Sequence, residues 1–151
     1  MSRPYYATPK DLERQERIVH QLRKRMPLKL VKRLNEQPVT HQMILNDGTR
    51  VGAKVEWRKP SLQLMERWGG YGIGEDRWLR MKGFVDERAW ALWFVIAAAD
   101  HLWLCRDALD HDGTYWGGRW DRNDPKDQET MVSFRFRRWT DMGDLRGNSL
   151  W

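Results

Sequence analysis

The stretch His41–Pro60, HQMILNDGTRVGAKVEWRKP, carries the strongest fold signal in the chain. Two apolar alternations flank Asn46-Asp47-Gly48, and an Asn-Asp-Gly turn between such runs is typical of a β-hairpin. Side chains alternate between the two faces of a strand, so the second run divides into an apolar set and a mostly charged set. The apolar set is Val51, Ala53, Val55 and Trp57, and the opposite set is Gly52, Lys54, Glu56 and Arg58.

A helix and a strand are predicted before the hairpin. Thr8 is a candidate N-cap, Pro9 suits the first helical position, and apolar residues recur at helical spacing as far as Met26. Pro27 ends the helix because proline cannot continue the hydrogen-bond ladder. The following run LKLVKRL, residues 28–34, predicts a strand.

The second half of the chain alternates between glycine-rich connections and apolar runs. Residues 59–74, KPSLQLMERWGGYGIG, are expected to form a loop with one helical turn. A second helix follows, with Trp78, Met81 and Val85 on one stripe. ALWFVIAAA, residues 91–99, is a continuous apolar run typical of a strand buried on both faces.

The order of elements is therefore α-β-β-β-α-β, followed by one or two further strands in LWLCRDA, residues 102–108, and MVSFRFRRW, residues 131–139. This order predicts an α/β or α+β fold in which a mixed sheet is flanked by helices. We expect residues 1–140 to form a single domain and residues 141–151 to form a C-terminal tail.

The composition limits the partners and the compartment. The chain has 27 Lys and Arg against 21 Asp and Glu, a net charge of +6, which favours nucleic acid or an acidic protein surface as partner. A soluble protein with no anionic partner is the alternative. The single cysteine, Cys105, suits a reducing cytoplasm, and the longest apolar run is too short to span a bilayer. We therefore expect a cytoplasmic location and no membrane partner.

Four basic residues are the candidates for contacts with phosphate groups. Lys24 and Arg25 lie at the predicted C-terminal end of the first helix. Arg135 and Arg137 alternate with Phe134 and Phe136 in RFRRW. An ordinary half-buried strand is the favoured interpretation of that alternation, and a basic-aromatic strip for nucleic acid is the alternative.

The element order, with a Glu-x-Arg pair at the end of the third strand, resembles the PD-(D/E)xK superfamily, which includes Holliday-junction resolvases and restriction endonucleases. The chain is most similar to small phage-borne members of that superfamily. The segments that carry the resemblance span most of the chain and are YATPKDLERQERIV, DGTRVGAKVEWR, EDRWLRMKGF and WGGRWDRNDPKDQE.

The resemblance implies a metal site at the end of the third strand. In this superfamily two carboxylates from adjacent strands hold Mg²⁺, and a lysine two residues after the second carboxylate positions the attacking water. Glu56 matches the second carboxylate, and Glu13 or Glu16 matches a glutamate of the first helix that often adds a metal contact.

The other motif positions depart from the superfamily pattern. His41 or Gln42 stands where the first carboxylate belongs, Arg58 occupies the lysine position, and Lys59 comes one residue late. His41 suits Mn²⁺ better than Mg²⁺. The candidate metal ligands are therefore Glu56 and His41, and the candidate catalytic residues are Glu56, Arg58, Lys59 and Glu16. A plain surface pair of Glu56 with Arg58 is the alternative interpretation.

The resemblance to phage-borne members implies a phage accessory protein with the nuclease fold, and these departures predict that its active site is degenerate. We expect it to need no cofactor and to bind nucleic acid or a host nucleoprotein complex, such as a defence system, in the host cytoplasm. An active DNA endonuclease or resolvase that depends on Mg²⁺ or Mn²⁺ is the alternative function.

Overall fold

A computed structural model of the chain describes residues 8–118 and 128–146. Its helices are α1 (Pro9–Arg25), α2 (Leu62–Arg67) and α3 (Glu75–Asp86). Its strands are β1 (Leu28–Arg33), β2 (His41–Leu45), β3 (Arg50–Arg58), β4 (Tyr71–Gly74), β5 (Ala91–Ala98), β6 (His101–Cys105), β7 (Gly113–Gly118), β8 (Gln128–Phe134) and β9 (Trp139–Asp144). None of the helices in these ranges is long and apolar enough to cross a membrane.

Two sheets organise the domain. The larger sheet has the strand order β1-β2-β3-β5-β6-β9, and the smaller one has the order β4-β8-β7. Strands β3 and β5 are parallel, and the other neighbours in the larger sheet are antiparallel. A parallel pair needs a long crossover connection, which α2, β4 and α3 supply. The predicted α+β fold with a mixed sheet between helices is confirmed.

Helix α1 forms where its capping signals predict. The Thr8 hydroxyl accepts a hydrogen bond from the Asp11 backbone N–H at 3.1 Å, and the Asp11 carboxylate accepts one from the Thr8 N–H at 3.1 Å. This reciprocal pair is a capping box, which satisfies backbone donors that a helix start leaves unpaired. Ile18 and Leu22 are fully buried and hold α1 on one face of the larger sheet.

The hairpin predicted for residues 41–57 is confirmed. Strands β2 and β3 pair antiparallel, with His41 opposite Ala53 and Met43 opposite Val51. At the turn, the Asp47 carboxylate accepts a hydrogen bond from the Thr49 N–H at 2.9 Å. Gly48 has a φ of +90°, which glycine adopts without the steric cost that a side chain would impose.

The core lies on both faces of the larger sheet. Val51, Val55, Val95 and Leu104 are buried on the face that α1 covers. The opposite face packs against α3 and the smaller sheet through the second buried set, which includes Phe94, Ile96, Met81, Val85, Val132 and Phe134. Strand β5 contributes to both sets and is buried from Leu92 to Ala98, as its continuous apolar run predicts.

Strand β4 lies in a segment that we expected to be a loop, so that expectation is wrong for Tyr71–Gly74. Two glycines weaken the strand pattern in the sequence because glycine has low strand propensity. A Cβ atom on Gly72 would lie 2.0 Å from the Tyr115 hydroxyl, so the glycine leaves room for this side chain of β7. Strand β4 forms by pairing with β8, which outweighs its low local propensity.

The run MVSFRFRRW is not one strand, so that prediction is corrected. Strand β8 ends at Phe134, and a short 3-10 helix covers Phe136–Arg138 before β9 begins. The cause is Asp112, whose carboxylate accepts hydrogen bonds from the Arg135 backbone N–H and from Arg138 Nε, each at 2.7 Å. These bonds draw the chain into a turn.

Strand β9 extends past the boundary that we expected between domain and tail. Residues 141–144 pair with β6, and Leu145 is buried beneath α1. The sequence TDMGDL shows no apolar alternation, because β9 is an edge strand that is held mainly by its backbone pairing. Residues 141–144 therefore belong to the domain.

A pair of glycine substitutions tests how α3 packs on β3. A Cβ atom on Gly52 would lie 2.6 Å from Val85 Cγ1, so Gly52→Ala should lower the free energy of unfolding by about 1–3 kcal/mol. Gly83 lies in α3 with no atom within 4 Å of such a Cβ, so Gly83→Ala should raise it by about 0.5–1 kcal/mol. Urea denaturation of both variants measures these changes, and equal stability of the two would contradict the packing.

Candidate functional site

A cluster of polar side chains surrounds Glu56 at the end of β3. Lys54 Nζ and the Tyr71 hydroxyl both donate to Glu56 Oε2, and Arg58 Nε donates to Oε1 at 2.7 Å. Lys54 Nζ also donates to the Tyr71 hydroxyl oxygen at 2.8 Å. Both carboxylate oxygens of Glu56 therefore have cationic partners.

One end of the cluster is buried in the protein, and the other end is partly exposed to solvent. Lys54 is 2% exposed and Tyr71 is 1% exposed, whereas the side chains of Glu56 and Arg58 are 23% and 36% exposed. The Arg58 guanidinium lies 5.0 Å from the centre of the Tyr71 ring and donates to the Gly72 carbonyl at 3.3 Å. Tyr71 and Gly72 belong to β4, so the cluster joins the two sheets.

The electrostatics keep Glu56 ionised. Burial opposes ionisation, but attraction to Lys54 and Arg58 and the hydrogen bonds from Lys54 and Tyr71 outweigh it, so the pKa of Glu56 lies well below its usual range. Burial lowers the pKa of Lys54 to about 7; attraction to Glu56 opposes this shift, and repulsion from Arg77 adds to it. Loss of either charge would leave the other poorly compensated in a buried place.

Two members of the cluster were not candidates in the sequence analysis. Lys54 had a usable signal, because strand alternation places it on the face of Glu56, two residues before it. Tyr71 had none, since it comes from a strand that the sequence did not predict. Lys59, a predicted catalytic residue, is exposed beyond the end of β3 and makes no hydrogen bond or ion pair with a described residue.

Glu16 and His41 lie on the other face of the larger sheet. Arg33 donates to Glu16 Oε1 from Nε at 3.0 Å and from Nη2 at 2.6 Å, and His41 Nε2 lies 3.5 Å from the same oxygen. His41 is opposite Ala53, whose side chain points away from the side of Glu56. The predicted grouping of Glu56 with His41 and Glu16 is therefore wrong.

Gln42, the other residue in the slot of the first carboxylate, shares the face of Glu56 but lies too far along the strand. It is opposite Gly52, four residues before Glu56. Four residues of strand span about 13 Å, whereas metal–oxygen bonds are about 2.0–2.6 Å long. A carboxylate at position 42 could not share a metal ion with Glu56.

The described residues do not fit a divalent metal ion at either place. Mg²⁺ and Mn²⁺ bind anionic oxygen atoms, and Glu56 already faces Lys54 and Arg58, while Glu16 faces Arg33. Across residues 8–118 and 128–146, no three or more His, Cys, Asp or Glu side chains are grouped to hold a metal ion.

The four predicted phosphate-binding residues fall in two separate places. Lys24 is exposed in the last turn of α1, and Arg25 beside it donates to the Gln21 side chain at 2.7 Å and to the Asp144 carbonyl at 3.1 Å. Arg135 and Arg137 lie around the 3-10 helix. They pair with Glu66 at 2.8 Å and with Asp112 at 2.5 Å, respectively. Their charges are therefore already compensated by carboxylates.

A mixed sheet with the predicted element order, a helix on each face and a charged cluster at the end of the third strand are features of the PD-(D/E)xK nuclease class. The family described as "Phage putative PDDEXK endonuclease" matches residues 1–142, and the chain belongs to this family of phage nuclease-fold proteins. The comparison with curated proteins gives no match. Nucleases of this class generally depend on a divalent metal, which the residues around Glu56 do not suit.

A double-mutant cycle tests the Glu56 cluster. Glu56→Gln leaves the buried ammonium of Lys54 without its counter-charge and should lower the free energy of unfolding by about 3 kcal/mol. Adding Lys54→Met should restore part of the loss, with a coupling of about 1–3 kcal/mol. Glu13→Gln, which removes an exposed pair with Arg17, is the control and should cost less than about 1 kcal/mol. Wild-type stability of Glu56→Gln would contradict this structure.

The buried histidine predicts how stability depends on pH. Burial and the nearby charge of Arg33, against attraction to Glu16, lower the pKa of His41 from 6.5 to about 4. The unfolded chain therefore binds a proton between these values while the folded protein does not, and stability falls as pH drops through that window. The free energy of unfolding should decrease by about 2 kcal/mol from pH 7 to pH 4.5 because of His41.

Urea denaturation at the two pH values measures this effect. His41→Gln should remove this contribution to the pH dependence, and His20→Gln, at an exposed position of α1, should keep it. The same pH dependence in wild type and His41→Gln would overturn the assignment.

Proposed function

We propose that this phage nuclease-fold protein acts by binding nucleic acid and does not cut it through a metal ion at Glu56. The observation that carries the proposal is the state of the Glu56 carboxylate, which accepts hydrogen bonds from Lys54, Arg58 and Tyr71. A metal ion would have to displace these cations, and the remaining lysine and arginine would repel it. The fold is therefore retained without the metal site.

The proposal that the protein binds nucleic acid is supported by uncompensated positive charge near the C-terminal end of α1. Arg23, Lys24 and Lys29 lie around Pro27, are exposed, and make no ion pair with a described residue. Positive side chains that are free of carboxylate partners release counterions when they neutralise phosphates, which is the main source of affinity for nucleic acid. The surface around Pro27 is therefore the proposed phosphate-binding surface.

Family membership favours a second candidate function, an active endonuclease that depends on Mg²⁺ or Mn²⁺. A cleavage assay separates the two candidates. Purified protein should leave single-stranded, duplex and branched DNA intact with either metal ion, because Glu56 has no free oxygen for the metal. Metal-dependent cutting that Glu56→Gln abolishes, with the variant still folded by circular dichroism, would contradict the proposal and establish the endonuclease.

Salt dependence tests the binding surface. Log affinity for an oligonucleotide should fall linearly with log salt, and Lys24→Gln should weaken binding and reduce the slope by about 0.9 for the lost contact. Arg137 is the matched control, since Asp112 already compensates its charge; Arg137→Gln should change the affinity less than about twofold. Fluorescence anisotropy at several salt concentrations measures both effects.

Two outcomes would count against this surface. Equal losses of oligonucleotide affinity in the two variants would show that the phosphate contact does not lie on α1. No binding of DNA or RNA at about 50 mM salt would remove nucleic acid as the partner, because electrostatic attraction is strongest at low salt. A host protein complex would then be the remaining partner class.

A further inference from the structure

On the face opposite α1, residues 8–118 and 128–146 leave part of the larger sheet uncovered at β1 and β2. Val31 and Met43 point toward α1, so their strand neighbours point the other way. One row across the sheet is Leu30, Ile44 and Arg50, and the next row is Lys32, Gln42 and Gly52. Near β1 and β2, α3 approaches this face at Gly52, where a Cβ atom would lie 2.6 Å from Val85 Cγ1. We name Leu30, Lys32, Gln42, Ile44 and Arg50 the β1–β2 strip.

The β1–β2 strip combines apolar and cationic side chains. Leu30 is 43% exposed, Ile44 is half-buried, and neither belongs to a core cluster of the described residues. Lys32 and Arg50 are exposed and have no carboxylate within ion-pair distance among those residues. A partner that covers the strip must therefore supply apolar contact and negative charge together.

Strand β1 also offers backbone hydrogen-bonding groups. In the part of the chain that the structure describes, it is the outermost strand of the larger sheet and pairs only with β2. One side of its backbone is therefore without a strand partner, and such an edge can accept another strand. From Leu30 to Arg33 the register with β2 is regular, because the irregularity lies between Leu28 and Leu30.

The charges on β1 decide which occupant fits. Lysines on an edge strand ordinarily protect against pairing with a second copy. Antiparallel pairing of β1 with itself would bring Lys29 of one copy near Lys32 of the other, and these like charges repel. Nucleic acid could use Lys32 and Arg50 but would leave Leu30, Ile44 and the backbone edge unused. An acidic polypeptide strand fits all three features: it can pack on Leu30 and Ile44, pair with the cations of the strip, and hydrogen-bond to the backbone edge of β1.

We propose that an extended acidic segment of a partner protein adds to the edge of β1. An apolar side chain of that segment packs on Leu30, and a carboxylate two residues away pairs with Lys32, because alternate residues of an added strand share one face. The proposed nucleic-acid surface reaches β1 at Lys29, but it includes no residue of the β1–β2 strip, and Lys24 lies on α1, across the sheet from the strip. The inference therefore goes beyond the proposed function and does not depend on it.

Binding of a designed peptide tests the proposal. The probe is a fluorescein-labelled peptide of sequence Thr-Val-Thr-Glu-Thr-Val-Thr-Glu-Thr-Val, which presents valine and glutamate alternately on one face of a strand. It should bind the wild-type protein and protect the amides of Leu28–Arg33 from hydrogen exchange. A peptide with glutamine in place of glutamate should bind at least about tenfold more weakly.

Charge reversal provides the sharpest control. Lys32→Glu should weaken binding of the glutamate peptide by at least about tenfold and strengthen binding of the same peptide with lysine in place of glutamate. Leu30→Asn should weaken binding of both peptides. Lys24→Glu, on the far side of the sheet, should leave peptide binding within about twofold. Because Lys32 and Leu30 are exposed, these variants should fold, which circular dichroism checks.

Three results would overturn the proposal. The first is no binding of the glutamate peptide to the wild-type protein at about 1 mM. The second is unchanged binding by Lys32→Glu. The third is an oligonucleotide affinity that falls as much in Lys32→Glu as in Lys24→Glu, which would make the β1–β2 strip part of a nucleic-acid surface instead.

Discussion

The ion pairs of Glu56 with Lys54 and Arg58 are the constraint on which both the fold and the proposed function depend. All three side chains stand on β3, and Tyr71 brings β4 to the same carboxylate. A carboxylate and an ammonium buried together are costly unless each is paired and hydrogen-bonded, which the Tyr71 hydroxyl and the Arg58 guanidinium complete. The smaller sheet is thereby fixed against the end of the strand where this nuclease class places its chemistry.

The same ion pairs support the proposal that the nuclease fold persists here without a metal site. A divalent ion needs several anionic oxygen ligands on one face of the sheet. Here Lys54, before Glu56 on the strand, and Arg58, after it, both pair with its carboxylate. The other predicted ligands, Glu16 and His41, face α1 and meet Arg33 instead.

Local signals predicted much of the fold, and contacts between distant segments account for the rest. The hairpin, α1, α3 and β5 follow from turn residues, caps and apolar periodicity, which a short window of sequence contains. Strand β4 depends on its pairing with β8, and the turn at Arg135 depends on Asp112; both partners lie far away in the chain. The candidate site divides in the same way: alternation predicts Glu56 beside Arg58, but only the β2–β3 register shows that His41 faces away.

Manganese-induced broadening of backbone NMR signals tests the central claim most directly, because a bound Mn²⁺ ion broadens the signals of nearby nuclei. If the carboxylate of Glu56 is paired with Lys54 and Arg58, titration with MnCl₂ should cause no preferential broadening of the signals of residues 54–58 or of Tyr71. Selective broadening of these residues, lost in Glu56→Gln, would contradict the account and place a metal ion at the end of β3.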